Sequence, residues 1–261
     1  MGNEGHSDGT VGKALDVLDT VAGFGRPVRF SDLLVQSAYP KATLYRFLQT
    51  LTNQGMLTLD AETGTYSLGV RLVRLAHVAW AQSSLAPIAR PYVDELAAKT
   101  GETVHLAQMD MGQVLYVDKR NATRPVEMFS SAGKVGPAYC TGVGKAMMAF
   151  LDEATLQGVM ARQSFHSFMP NTLDSPERLR AELEVIRHCG HAFDREEHEP
   201  GIICIAVPIL ARSGKVLGAV SVTSTTVRSS LTALEGLAAT VKETAAHIGI
   251  ASESWRFPEQ R

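Results

Sequence analysis

Apolar residues recur at helical spacing through the first third of the chain. Val11, Ala14, Leu15, Leu18, Val21 and Ala22 share one face, with Thr10 as the expected N-cap and Gly23 and Gly25 as the stop. Residues 1–9, polar and glycine-rich, are expected to be disordered. Ser31 is placed to cap a short second helix through Leu33, Leu34 and Val35, which Tyr39-Pro40 ends, because proline restricts the residue before it. A third helix is expected from Lys41 to about Gln54, with Gly55 behind it and Leu44, Phe47, Leu48 and Leu51 as its buried stripe. Two short strands, 56–59 and 65–68, follow across the turn Asp60–Gly64.

From residue 70 the pattern is helical again (Val70, Val73, Leu75, Ala76, Ala79, Trp80), and after Pro87 and Pro91 it changes. A helix to Lys99 leads into strands at 103–109 and 113–119, with a further strand expected at 126–130. Thr141 is placed to cap a helix through Phe150, and Ser175 with Pro176 opens another to about Cys189. Strands at 202–210 and 216–223 flank the turn 212–215, and one last helix carries Leu231, Leu234, Leu237, Val241, Ala245 and Ile248. Antiparallel strands interrupted by helices make an α+β domain. The expected division is 1–69, a linker helix at 70–84, and a second domain at 85–261.

Charge narrows the partners. The net charge of −2 excludes a polycation, so any nucleic-acid surface must be local. Residues 26–50 provide one, with Arg26, Arg29, Lys41 and Arg46 against Asp32 alone. No apolar run reaches the roughly 18 residues of a membrane span, and the N-terminus lacks the apolar stretch of an export signal, so a cytoplasmic protein is expected. Cys140, Cys189 and Cys204 form no CxxC pair and read as reduced thiols, with no structural metal and no cofactor expected.

Helix, short helix, turn, helix and β-hairpin is the order of a winged helix-turn-helix. Lys41, Ala42, Thr43, Tyr45, Arg46, Gln49 and Asn53 fall on the outward face of the third helix. Arginine pairs with guanine or grips phosphate, glutamine reads adenine, and Thr43 and Tyr45 offer hydroxyls to phosphate oxygens. The DNA-binding set is therefore Lys41, Ala42, Thr43, Tyr45, Arg46 and Gln49. The bland alternative is a plain helical bundle with a solvated face, against which the hairpin argues.

Three segments carry a resemblance: Ala42–Leu51 followed by Gly55 and Tyr66–Gly69; Pro137–Ala146; and Gly190–Pro208. In this order, over about residues 10 to 250, they resemble the IclR family of bacterial regulators. Within it the resemblance leans to regulators of sugar-acid catabolism, such as that of 2-keto-3-deoxygluconate. Two departures stand out. Ala42 occupies a position where the family often has serine, and the wing turn carries Asp60 and Glu62 but no Lys or Arg, so a phosphate backbone would repel it.

The resemblance implies an α+β chain with an N-terminal winged helix-turn-helix and a GAF-like antiparallel-sheet sensor domain. It implies a double-stranded, pseudo-palindromic operator, a homodimer or dimer of dimers, and a small-molecule effector held by Met128, Gly142, Val143, Asp194, Ile202, Cys204, Ser221 and Thr223. The chemistry of these residues agrees. Gly142 opens a helix, where free N–H groups suit an anion. Ser221 and Thr223 lie two apart on a strand and share a face. Asp194 can accept hydrogen bonds from hydroxyls. A small hydroxylated carboxylate or sugar acid meets these needs. Each residue also has a structural reading, as buried thiol, packing glycine or ordinary strand residue. Two rival functions rest on the same stretch: a hydrolase using Cys204 with His198 or His191, which lacks an orienting third group, and a metal sensor using His188, His191, His198 and the cysteines, which lacks ligand spacing. No enzyme activity is expected.

Overall fold

The computed structural model describes residues 9–253, which divide into two compact units at residues 82/83. The first holds α1 (Gly9–Gly23), β1 (Val28–Arg29), α2 (Phe30–Gln36), α3 (Lys41–Asn53), β2 (Leu57–Asp60), β3 (Thr65–Leu68) and α4 (Val70–Ser83). Its sheet runs β1-β3-β2, all antiparallel. Val17, Leu18 and Val21 of α1, Leu33 of α2, and Leu44, Phe47, Leu48 and Leu51 of α3 close over Val28, Leu57 and Tyr66 of the sheet. This is a winged helix-turn-helix, with β2 and β3 as the wing.

Two caps differ from expectation. Thr10 lies inside α1, and the remaining residues expected to be disordered, 1–8, are outside the described ones. Ser31 lies inside α2, whose N-cap is Arg29 with no side-chain bond. The cause is tertiary. Val28 and Arg29 pair with Tyr66 and Thr65, so the chain is extended up to Arg29 and turns helical as soon as it leaves the sheet.

The second unit holds α5 (Ala86–Thr100), β4 (Thr103–Asp110), β5 (Gln113–Arg120), β6 (Val135–Gly136), α6 (Gly142–Met148), α7 (Glu153–Met160), α8 (Pro176–Cys189), β7 (Ala192–Arg195), β8 (Ile202–Leu210), β9 (Val216–Thr225), α9 (Leu231–Glu235) and α10 (Ala238–Ala251). Its six strands form one antiparallel sheet in the order β6-β5-β4-β9-β8-β7. Helix α6 packs on one face, over a core that includes Ala107, Tyr116, Cys204, Ala206 and Ala219. Helices α5 and α10 pack on the sheet as well as on each other.

The strand expected at 126–130 does not form. Its backbone is drawn elsewhere: Phe129 N donates to the Glu199 carboxylate at 2.9 Å, and the Ser130 carbonyl accepts from Lys119 Nζ at 2.9 Å. The segment 121–134 is thus an irregular strap, and the short β6 takes the sheet edge. The single last helix is two, broken at Gly236–Leu237, with Ser230 Oγ accepting from Ala233 N at the start of α9. Thr141 sits at the N-cap of α6, but its hydroxyl donates to the Pro137 carbonyl at 2.8 Å instead of capping. Ser175 does cap α8, accepting from Arg178 N at 3.3 Å. Neither α7 nor β7 was expected from the pattern.

Candidate functional site

In the first unit, α3 turns Leu44, Phe47, Leu48 and Leu51 into the core and leaves Lys41, Ala42, Tyr45, Arg46 and Gln49 exposed. Thr43 is half-buried. The Tyr45 ring meets the partly buried Phe30 edge-on at 6.2 Å, and the Arg46 guanidinium lies 5.9 Å from the ring of core Phe47. In the wing turn, Asp60 Oδ1 accepts from Glu62 N at 2.8 Å and Thr63 N at 3.2 Å. These backbone donors hold the Asp60 carboxyl below its usual range. The turn is built around a fixed anion, and the wing tip is acidic by construction.

In the second unit, strand register assembles a pocket. Asp194 pairs with Cys204, and Cys204 with Thr223. One step along the ladder, Ala206 pairs with Ser221, and Ser221 with His105. Directly opposed residues share a face, so one patch of sheet carries all of them. Helix α6 crosses this patch with Gly142 and Val143. The resulting cavity is also lined by Tyr116, Ser130, Thr141, His198, Glu199 and Ile202. It brings together Gly142, Val143, Asp194, Ile202, Cys204, Ser221 and Thr223. Met128 does not line it; half-buried, it stands on the irregular strap two residues from Ser130, which does.

Gly142 is where α6 comes closest to the sheet. A Cβ there would overlap Cys204 Sγ and stand 3.3 Å from Ala206 Cβ. The glycine is therefore needed for packing whatever the pocket holds, and a leucine at this position would push the helix off the sheet rather than simply fill the cavity.

The polar groups are nearly all tied. His105 Nδ1 lies 3.2 Å from Thr223 Oγ1, and its Nε2 lies 2.7 Å from Ser130 Oγ. Burial pushes the imidazole down to about 3, so it is neutral and bridges the sheet to the strap. Asp194 Oδ1 accepts from Glu197 N at 2.9 Å. Burial, aided by the Glu197 charge, pushes its carboxyl up to about 7. Burial likewise drives the Cys204 thiol well above its ordinary value, which makes it a neutral thiol. Among the described residues no imidazole is hydrogen-bonded to it, and His191 bonds instead to the Cys189 carbonyl at 3.3 Å. The Cys204–His hydrolase reading therefore has no support. Among the described residues no three His, Cys, Asp or Glu side chains are grouped to hold a metal ion, and no helix is long and apolar enough to cross a membrane.

Sequence reasoning did not assign His105, Tyr116, Ser130, Thr141, His198 and Glu199 to this pocket, although it singled out Thr141 as a helix cap and His198 as a base or metal ligand. His105 had a signal, a polar side chain amid the apolar run of β4. Tyr116 and Thr141 lie on elements the pattern does predict, β5 and the start of α6, but only the packing of α6 on the sheet turns them toward the pocket; Ser130, His198 and Glu199 depend on the strap and on the β7–β8 turn, which no periodicity describes.

A winged helix-turn-helix joined to an antiparallel-sheet unit with a small polar pocket defines a DNA-binding transcriptional regulator. Comparison with known proteins agrees. Residues 10–61 match the IclR helix-turn-helix domain, and residues 77–250 match the bacterial transcriptional regulator IclR C-terminal domain. The transcriptional regulator XynR of Escherichia coli is 31% identical over 84% of this chain and 87% of its own. KdgR of Dickeya chrysanthemi is 31% identical over 85% and 73%. The crystal structure of the Thermotoga maritima IclR superposes with a TM-score of 0.74 at 27% identity, covering 94% of this chain and 98% of that one. The chain belongs to the IclR family of bacterial transcriptional regulators.

Proposed function

We propose that the chain binds a pseudo-palindromic operator as a homodimer, with α3 in the major groove, and that a small hydroxylated carboxylate such as a sugar acid in the sheet pocket changes its DNA affinity. The observation that carries the effector reading is the ladder register, which sets Asp194, Cys204 and Thr223 in one row beside Ser221 and His105, under the start of α6. Hydroxyls of Ser130, Thr141, Ser221 and Thr223 match a polyhydroxylated ligand. The first N–H groups of α6 have no helical acceptor and suit a carboxylate. No Lys or Arg lines the cavity, so the anion would meet neutral donors, Asp194 in its protonated form among them, while the Glu199 carboxylate in the lining is turned to Phe129 N.

The cavity as it stands is about 30 Å³, which is the scale of a water molecule. Entry therefore requires the strap at 121–134 to move, which would release the Ser130–His105 bond and carry Met128 with it. Dimerisation is supported by α4, which exposes Val70, Val73, Leu75 and Val78. We read 70–84 as the linker through which the effector acts on DNA binding. The coupling is the difference in effector affinity between the DNA-competent and incompetent states, typically about 1–3 kcal/mol.

The test is calorimetry with a panel of sugar acids and their neutral polyols, followed by DNA binding with each ligand found. Ser221→Ala and Thr223→Val should weaken a true effector and leave DNA affinity in its absence unchanged. A ligand indifferent to both would place the effector site elsewhere. Separately, Arg46→Ala should weaken operator binding by about 1–3 kcal/mol; unchanged footprints at equal protein concentration would remove α3 from the groove.

A further inference from the structure

The row of residues that floors the sheet pocket runs one strand beyond the cavity. Ala206 pairs with Ser221, Ser221 with His105, and His105 with Lys119 of β5. Directly opposed residues share a face, so Lys119 stands on the pocket side of the sheet. Ala206, at the other end of the row, lies under Gly142 at the start of α6. Strands β8, β9, β4 and β5 are successive neighbours, so the two ends are about 14 Å apart. The strap keeps Lys119 out of the cavity: Lys119 Nζ donates to the Ser130 carbonyl at 2.9 Å. The hydroxyl of the same Ser130 lies 2.7 Å from His105 Nε2. One buried residue of the strap thus covers both polar groups at this end of the row.

Lys119 lacks a counter-charge. An ammonium has three donors; the carbonyl satisfies one and carries no charge. Among the described residues no carboxylate stands within ion-pair distance of it. Glu199, whose charge Lys119 feels, directs both oxygens to Phe129 N at 2.9 Å. Lys134, on the strap, lies 4.7 Å from the Phe129 ring and adds a second positive charge nearby. Burial lowers the Lys119 ammonium below its usual range, Glu199 opposes this, and Lys134 adds to it. The far end of the pocket is therefore cationic behind a neutral cover.

We propose that the effector of this pocket carries two carboxylates, as an aldaric acid does, one at the start of α6 and the other on Lys119, where it replaces the Ser130 carbonyl as the strap lifts. This rests on the reading of the sheet pocket as the effector site and narrows its ligand class. Ser221, Thr223 and the neutral His105 lie between the two anchors and match hydroxylated carbons. A monoacid or a polyol that displaces the strap leaves the half-buried ammonium without the acceptor it had, which is the source of discrimination.

Calorimetry on the full chain with galactarate, galactonate and galactitol, and with glucarate, gluconate and glucitol, checks this, because each set shares a carbon skeleton and bears two, one and no carboxylates. In at least one set the diacid should bind about tenfold or more tighter than the monoacid, the scale of one charge-assisted hydrogen bond. Lys119→Met keeps the aliphatic stem and should bring the two acids together, whereas Lys119→Arg should keep the preference. If Lys119 served only to latch the strap, its loss would shift all ligands alike, so the ratio of diacid to monoacid affinity within each protein is the readout. Ser221→Ala should weaken both acids equally. A preference that survives Lys119→Met, a monoacid that binds as tightly as its diacid, or absence of diacid binding overturns the proposal. If acid binding still falls in Ser221→Ala while Lys119→Met changes no ratio, the pocket stays the effector site and only the second carboxylate is lost. Acid binding indifferent to Lys119→Met, Ser221→Ala and Thr223→Val alike removes both readings.

Discussion

Replacing Gly142 by alanine sets two known effects against each other at one atom. Alanine in place of glycine in a helix gains about 0.5–1 kcal/mol from backbone entropy. The new Cβ, however, overlaps Cys204 Sγ. Cys204 is 6% exposed and its backbone is paired on both edges with Asp194 and Thr223, so the strand holds its place and only the buried Sγ could turn. Overpacking of this kind costs about 1–3 kcal/mol. The net expectation is a destabilisation of about 1–2 kcal/mol. Cys204→Ala removes the sulfur and leaves Ala206 Cβ at 3.3 Å and Asp194 N at 3.4 Å as the nearest atoms, distances that small shifts relieve. In that background Gly142→Ala should become neutral or stabilising by up to about 1 kcal/mol. Urea unfolding of the four proteins of this cycle, with hydrogen exchange of β8 amides to assign the transition to the sensor unit, gives the coupling energy. Additive effects, or stabilisation by Gly142→Ala alone, would refute the idea that this glycine exists to let α6 approach the sulfur.

Other outcomes follow from the same geometry. Asp194 titrates at about 7 in the folded chain against an ordinary 3.8; its raised value favours folding below about pH 4, and that contribution is lost as pH rises through about 7. Asp194→Asn, whose Oδ1 still accepts from Glu197 N, should therefore gain stability relative to wild type at pH 8 compared with pH 5, and thermal melts at both values check this. A carboxylate effector beside Asp194 should be taken up with a proton, so its affinity should fall from pH 6 to pH 8 in the wild type and stay flat in Asp194→Asn by calorimetry. Leu48, fully buried in the first unit, should cost about 2–5 kcal/mol when truncated to alanine, whereas exposed Gln49→Ala should leave the melting curve nearly unchanged. Glu62→Lys in the acidic wing should raise DNA affinity and steepen its salt dependence by about one counterion; an unchanged slope would mean the wing stays away from the phosphates.

Much of this protein can be read from the residues in order. The period of α1, the stripe Leu44, Phe47, Leu48 and Leu51 of α3, and the hairpin after Gly55 are local matters, because a helix or turn is selected by residues a few places apart. The same holds for Ser175 with Pro176 at the start of α8. The strand residues Ser221 and Thr223 announce a shared face by their spacing, and the ordered set of family motifs points to Gly142, Asp194 and Cys204 together.

What the sequence could not decide is which strand lies beside which, and in what register. Only pairing across β7, β8, β9 and β4 sets Asp194, Cys204, Thr223, Ser221 and His105 on one patch, and only the approach of α6 turns Gly142 from a generic helix start into a steric requirement. Segment 126–130 reads as a short strand by its residues, yet its backbone bonds go to Glu199 and Lys119, residues 70 and 11 positions away for the bonds they make. Ser31 has the chemistry of a cap, yet β1 pairs with β3 and moves the start of α2. In each case a long-range partner competes with a local preference worth about 1 kcal/mol, and burial in the assembled sheet outweighs it.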